Sequence, residues 1–245
     1  MYISVLDESC EFPPVELALD DPNGLLAVGG DLSLPRLEAA YRSGIFPWYS
    51  EGQPILWWCP EPRTVLKIDA FHPGHTLRKK LAQITRGRLP VEVRLNTACA
   101  DVLAACAEPR PGQHGTWIVP EMQEAYLRWH HAGVVQSVET WVDDRLVGGL
   151  YGVALGRMFF GESMFSRMSD ASKIALAYLV AFLKRHGVRL IDCQQETPHI
   201  VRMGGRPMPR AEFVAHVRQA VSEPALPWGS GRILPCGTLV DPCPA

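Results

Sequence analysis

Three groups of residues have the types and spacing to do chemistry. The segment Leu190–Gln194 ends an apolar run with Asp192, Cys193 and Gln194. Along an extended strand side chains alternate, so Asp192 and Gln194 share one face and Cys193 takes the other. The shared face then offers a carboxylate acceptor and an amide that both donates and accepts. Ends of strands are where open α/β sheets build their sites. Cys193 points away and has no identifiable base beside it, so it reads as structural rather than nucleophilic. The second group is GESMFSR (161–167), in which Glu162 falls between the end of a strand at Phe159-Phe160 and the start of a helix. Such a carboxylate can accept a hydrogen bond from an amine or a ribose hydroxyl. It can equally tighten its own loop by bonding backbone N–H groups.

The third group is aromatic. GIFPWYS (44–50) and ILWWCPEPR (55–63) bring Phe46, Trp48, Tyr49, Trp57 and Trp58 within 13 positions, interrupted by Gly and Pro. Rings on loops of this kind either line a cleft or fasten a small domain to a larger one. Lining rings can stack nucleobases, at roughly 1–3 kcal/mol each. The sequence has no G-x-S-x-G elbow, no phosphate-binding P-loop and no G-x-G-x-x-G after a strand. Its seven cysteines are scattered, with no C-x-x-C pair, and its eight histidines lack ligand spacing. We therefore expect reduced thiols and no metal site.

Charge and composition narrow the class. The 245 residues are 47% hydrophobic and 20% charged, enough apolar content to bury a core. No run approaches the roughly 18 apolar residues of a membrane span, and the start lacks the basic flank and apolar run of a signal peptide. A cytoplasmic protein with no membrane partner is expected. The net charge of −2 argues against a generic nucleic-acid binder. Its distribution is uneven: residues 1–59 carry 2 basic and 9 acidic side chains, and residues 60–95 carry 8 basic and 3 acidic. The basic segment, with Arg63, Lys67, Arg78, Lys79, Lys80, Arg86, Arg88 and Arg94, could meet a few phosphates, or simply keep a helix face solvated.

The elements that must position these groups are legible from periodicity. The first 60 residues are turn-rich around one helix, which Ser33 can cap and Gly44 can end, with Leu37, Ala40 and Tyr41 on one face. Further helices are expected near 75–87, 97–107, 120–132, from Ser169 to about 186, and over 209–221. Strands are expected at 91–95, 135–142, 145–155, 157–160 and 188–194. The tail from Ser222 reads as irregular. This order predicts an α/β (α+β) chain: a small N-terminal domain over 1–62, a mixed sheet flanked by helices over 63–221, and a tail over 222–245.

Several long stretches go further. GLLAVGGDLSLPRLEAAYRSGIFPWYSEGQPILWWCPEPR (24–63), TWI (116–118), SVETWVDDRLVGGLYGVALGRMFFGESMFSRMSDASKIAL (137–176) and LIDCQQETPHIVRMGGRPMPRAEF (190–213) resemble, in order, the leucyl/phenylalanyl-tRNA–protein transferase family. The resemblance implies a C-terminal domain with a GNAT-like acyltransferase fold. It also implies a reaction. Leucine or phenylalanine, and also methionine, passes from aminoacyl-tRNA to the α-amine of a protein that begins with Arg or Lys, marking it for N-end-rule degradation. The ester is already activated, so no cofactor is required.

By the same resemblance, Trp48 and Trp117 bound the aminoacyl-adenosine site, Tyr41 and Tyr126 lie near the adenosine, and Glu162 contacts the aminoacyl end. Leu150, Phe159, Leu179 and Leu183 line the amino-acid pocket. Asp192 and Gln194 are the pair that assists amine attack, Gln194 by hydrogen bonding and Asp192 by orienting it or holding the ammonium. Arg78, Lys79, Lys80, Arg86 and Arg88 are expected on the tRNA backbone, and the enzyme is expected to act as a monomer. An acyl-CoA-dependent N-acetyltransferase is the alternative enzyme, but RLVGGL (145–150) lacks the final small residue of a pyrophosphate loop. An RNA-stacking module without chemistry would leave Asp192 and Gln194 unexplained.

Overall fold

The structure, a computed structural model, describes residues 3–109 and 118–241. A small sheet comes first, from β1 (Ser4–Leu6), β2 (Leu25–Gly29), β3 (Phe46–Pro47) and β4 (Leu56–Trp58), in the order β1-β2-β4-β3. Helix α1 (Leu34–Arg42) crosses it and buries Leu37, Ala40 and Tyr41, the expected face. Ser33 occupies the N-cap position without a side-chain bond; its own N–H is held by the Asp31 carboxylate at 2.7 Å. Gly44 stops the helix with φ of 76°, and a Cβ there would lie 3.0 Å from the Phe213 ring. Glycine therefore serves both the turn and the close approach.

The large sheet holds β5 (Arg63–Lys67), β6 (Val91–Leu95), β7 (Val135–Val142), β8 (Arg145–Leu155), β9 (Met158–Ser166), β10 (Leu190–Asp192), β11 (Arg206–Met208), β12 (Gly231–Ile233) and β13 (Leu239–Val240). Their order is β11-β5-β10-β9-β8-β7-β6-β12-β13. The β9–β10 pair is parallel and the other pairs are antiparallel. The connecting helices are α2 (His75–Thr85), α3 (Cys99–Ala107), α4 (Pro120–His131), α5 (Ala171–Arg185), α6 (Pro198–Arg202) and α7 (Arg210–Ala220).

Strand alternation divides the core in two. Tyr151, Val153 and Phe160 face α1, α3, α4 and α7, whereas Leu150, Ala154 and Phe159 face α2 and α5. Neighbours in sequence, Leu150 with Tyr151 and Phe159 with Phe160, thus serve opposite sides of the sheet.

Four local readings differ from the periodicity. Strand β9 extends through GESMFS instead of ending at 160, because its second half still pairs with β8 up to Gly148↔Ser166. Helix α5 starts after Asp170, which adopts φ of 68°, and Ser169 does not cap it. Strand β10 is only three residues long, because Gln194 turns left-handed at φ of 54°. The tail is partly regular: β12 pairs with β6, Gly231 against Leu95, and extends the sheet edge. Helix α3 also receives a cap that the sequence does not advertise. The buried Glu139 of β7 accepts from the N–H groups of Thr97 and Ala98 and from the hydroxyls of Thr97 and Ser137. A carboxylate suits the unsatisfied N–H groups and positive end of a helix start.

Gly152 sits on β8 where β9 leaves no room for a side chain. A Cβ at Gly152 would fall 2.3 Å from the Phe160 carbonyl oxygen and 2.6 Å from the Phe159 ring. Gly152→Ala should therefore destabilise by about 1–3 kcal/mol, the usual cost of overpacking. A urea unfolding midpoint equal to that of the unaltered protein would refute this contact.

Candidate active site

The site lies where two strands part. Strand β10 pairs with β9 only at Ile191↔Phe159 and Asp192↔Phe160, yet β9 continues six residues further. The gap opens a cleft of about 1490 Å³. Trp48, Val119, Pro120 and Gln123 line its front, Glu162 and Gln194 its middle, and Leu150, Phe159, Leu176 and Leu179 an apolar recess.

Glu162 is aimed by a bulge. Between the pairs Gly152↔Gly161 and Tyr151↔Ser163, β9 carries one residue more than β8, and that residue is Glu162. Bulges re-aim a side chain in this way beside sites. Its carboxylate meets two buried phenols: Tyr41 donates to Oε1 at 2.8 Å, and Tyr126 Oη lies 3.3 Å from Oε2. The phenols are themselves 2.6 Å apart. Two phenol protons cannot satisfy three contacts, but a protonated carboxyl supplies the third. Burial accordingly pushes the Glu162 carboxyl up to about 8, against the opposing hydrogen bond from Tyr41. Burial and the nearby carboxylate raise both tyrosines well above 10, so they stay protonated. Gln194 completes the group, donating from Nε2 to Glu162 Oε1 at 3.4 Å.

Asp192 borders the cleft beside Gln194, but its carboxylate is turned to Arg63. It is fully buried and binds Arg63 in a two-bond fork: Nε to Oδ1 at 2.8 Å and Nη2 to Oδ2 at 2.6 Å. Arg63 lies between the Phe46 and Phe213 rings, 4.7 and 4.5 Å from their centroids, and donates to the Gly44 carbonyl. Asp192 Oδ1 also accepts the Gln194 N–H at 3.0 Å, closing a tight turn that holds Gln194 left-handed. Both Asp192 oxygens are thus engaged by Arg63, and Oδ1 also orients Gln194 through its backbone N–H. Arg63 likewise leaves the phosphate-binding segment: it is 1% exposed. In the sequence it appears only as part of the CPEPR motif (59–63) and of the basic segment; a single arginine that opens a strand does not announce burial.

The other expected site residues divide. Leu150, Phe159 and Leu179 line the recess, whereas Leu183 is buried one turn of α5 further on and is not among the lining residues. Tyr41 and Tyr126 stand behind Glu162 rather than in the cleft wall. Of the five clustered aromatics, Trp48 lines the cleft and is 37% exposed. Trp57 and Trp58 are locked, their Nε1 groups bonded to the carbonyls of Gly29 and Trp48. Trp117 lies outside the described residues. Arg78, Lys79, Arg86 and Arg88 are exposed on or just after α2, while Lys80 binds Asp170 at 2.6 Å. Burial raises the Cys193 thiol far above its ordinary range, which leaves it a poor nucleophile. Among the described residues no group of three His, Cys, Asp or Glu side chains could hold a metal ion, and no helix is long and apolar enough to cross a membrane.

Comparison with known proteins covers nearly the whole chain. Residues 65–218 match the family described as leucyl/phenylalanyl-tRNA protein transferase, and residues 30–61 match that family's N-terminal domain. The chain is similar to the leucyl/phenylalanyl-tRNA–protein transferase of Bordetella petrii, 61% identical over 243 residues, covering 98% of this chain and 96% of the relative. It is also similar to those of Bordetella avium, 57% identical over 98% of both chains, and Aromatoleum aromaticum, 58% identical over 87% of this chain and 88% of the relative.

Two outcomes follow from the geometry. Asp192→Asn leaves Arg63 buried beside a neutral partner and should cost about 3–5 kcal/mol in denaturant unfolding. The double change Arg63→Met with Asp192→Leu should cost less than the single one, and the opposite ranking would refute a buried ion pair. Glu162 imposes a pH dependence. The folded protein keeps a proton that the unfolded chain releases near 4.5. The stability this lends is full below that value and is lost as pH rises through about 8. Glu162→Gln should flatten the stability slope between about pH 5 and 8; an unchanged slope would place the proton elsewhere.

Proposed function

Because the chain belongs to the leucyl/phenylalanyl-tRNA–protein transferase family, we propose how its cleft carries out transfer from aminoacyl-tRNA to a protein. The observation that carries the reading is the placement of Glu162 and Gln194 at the junction of the Trp48 front and the apolar recess. The tRNA's terminal adenosine lies against Trp48. The leucine or phenylalanine side chain enters the recess between Leu150, Phe159 and Leu179. The ester carbonyl then falls beside Gln194, whose NH₂ donates to the oxyanion as it forms.

The acceptor's α-nitrogen attacks the ester carbonyl carbon. A C–N bond forms, the C–O bond to the ribose breaks, and the ribose oxygen leaves with a proton. A free α-ammonium titrates at roughly 8, close to the value to which Glu162 is pushed up. Glu162, holding its proton, can give it to the leaving ribose oxygen while its other oxygen takes one from the attacking nitrogen, so that the carboxyl ends as it began; a group that titrates near neutrality suits such acid–base assistance. Holding both substrates in attack geometry supplies the larger share, on the order of 7–11 kcal/mol. No covalent aminoacyl-enzyme takes part. Asp192, held by Arg63, positions Gln194 and does not itself touch the substrate.

The finer identity follows the family resemblance. Acceptors begin with Arg or Lys, methionine is a further transferred residue, and the products enter N-end-rule degradation. The protein acts as a cytoplasmic monomer built from a small domain over 1–62 and a catalytic one over 63–221. Arg78, Lys79, Arg86 and Arg88 meet tRNA phosphates, and Lys80 does so only by exchanging its bond to Asp170.

Transfer of radiolabelled leucine from Leu-tRNA to a peptide beginning with Arg tests the reading. Glu162→Gln should lower kcat about 100-fold while tRNA affinity holds. Arg78→Ala with Lys79→Ala should weaken tRNA binding and flatten its salt dependence. Full activity of the Glu162 variant, or a leucyl group trapped on Cys193, would overturn the mechanism.

A further inference from the structure

The segment after α7 lies beyond residues 65–218, the span matched by the family's catalytic model, and no site residue considered above falls in it. Its course is nonetheless anchored by specific contacts. Leu226 is buried, and Asn96 Nδ2 donates to the Gly229 carbonyl at 2.9 Å while Ser230 Oγ donates to the Asn96 carbonyl. Strand β12 then pairs with β6, and Gly237 passes so close to α5 that a Cβ there would lie 2.3 Å from the Ala181 carbonyl oxygen. These anchors press one large side chain onto the far side of the recess. The Trp228 ring sits 5.8 Å from Phe159 and 4.8 Å from Phe182, centroid to centroid. Its Nε1 is buried without a hydrogen-bond partner among the described residues, so packing alone holds the ring there.

Phe159 is the shared element. It lines the cleft and is 1% exposed. On β8, Gly152 leaves just enough room for it. The space that Phe159 could retreat into is the space that Trp228 fills.

We propose that Trp228 is a specificity-determining residue that acts through Phe159: by backing that ring, the C-terminal segment sets the depth of the recess and so the relative rates for leucine and phenylalanine. This rests on the reading of the recess as the amino-acid pocket. A rigid apolar pocket distinguishes similar side chains by the few methylenes it can or cannot admit. Removing the indole lets Phe159 settle back, and the larger substrate gains.

The test compares kcat/KM for Phe-tRNA and Leu-tRNA on the full chain, with an Arg-initiated peptide as acceptor. Trp228→Leu should raise the Phe:Leu ratio about 3–10-fold, within the discrimination such pockets show. Trp228→Phe should shift it in the same direction by less, and this variant decides the matter should Trp228→Leu fail to fold. A purely structural role lowers both substrates together, so an unchanged ratio overturns the proposal. Leu150→Ala separates the two readings. A ratio altered by Leu150→Ala but not by either Trp228 variant refutes the role of Trp228 alone. A ratio that Leu150→Ala leaves untouched refutes the recess as the pocket, and this proposal with it.

Discussion

A buried ion pair ties the parts of this protein into one machine. Arg63 begins β5, Asp192 ends β10, Gly44 and Phe46 come from the small domain, and Phe213 comes from α7. The guanidinium touches all four. Two charges taken out of water cost several kcal/mol each, and the fork geometry with flanking rings offsets that cost only while every partner is in place. Such an arrangement adds little net stability over apolar packing. What it supplies is definition: it sets where β10 stops and which way the chain turns at Gln194.

From that point the cleft follows from strand geometry. With β10 ended at Asp192, β9 has an unpaired flank, and the residues that would otherwise have been buried beneath a longer β10 become cleft wall. The bulge at Glu162 places a carboxylate on the flank, against two phenols that bring too few protons for their contacts. A carboxyl in that setting favours its neutral form, and it releases the proton more readily when a cation arrives. A site that handles one amine and one ester needs little beyond this: a group that can exchange a proton near neutrality, a nearby amide donor, and walls that fix the orientation of both substrates.

The distribution of roles across the sheet has a physical logic. Adjacent residues on β8 and β9 serve opposite faces, so the polar Tyr41–Tyr126–Glu162 group and the apolar recess are built by neighbouring positions without interfering. The tail reaches the recess from the α5 side, where the polar group has no contact.

Much of this was legible in the sequence. Periodicity located the helices and most of the strands, because burial of one face imposes its repeat whatever the fold. The long motifs identify the family, and Glu162, Gln194, Trp48, Leu150, Phe159 and Leu179, which the resemblance singles out, all line one cleft. Three matters were decided only in three dimensions. Asp192 and Gln194 read as partners on one face, since alternation assumes that the strand continues; an ion pair to a residue 129 positions away ends it. Tyr41 and Tyr126 read as lying near the adenosine, but hydroxyls reach whatever acceptor the packing brings, and which one that is, Glu162, only the fold shows. Trp228 carried no local signal, and nothing local set Arg63 apart from the other basic residues of its segment. Local patterns record which surface each element must bury. Which charge meets which, and which ring backs which, depends on contacts between distant segments, and only the folded arrangement settles them.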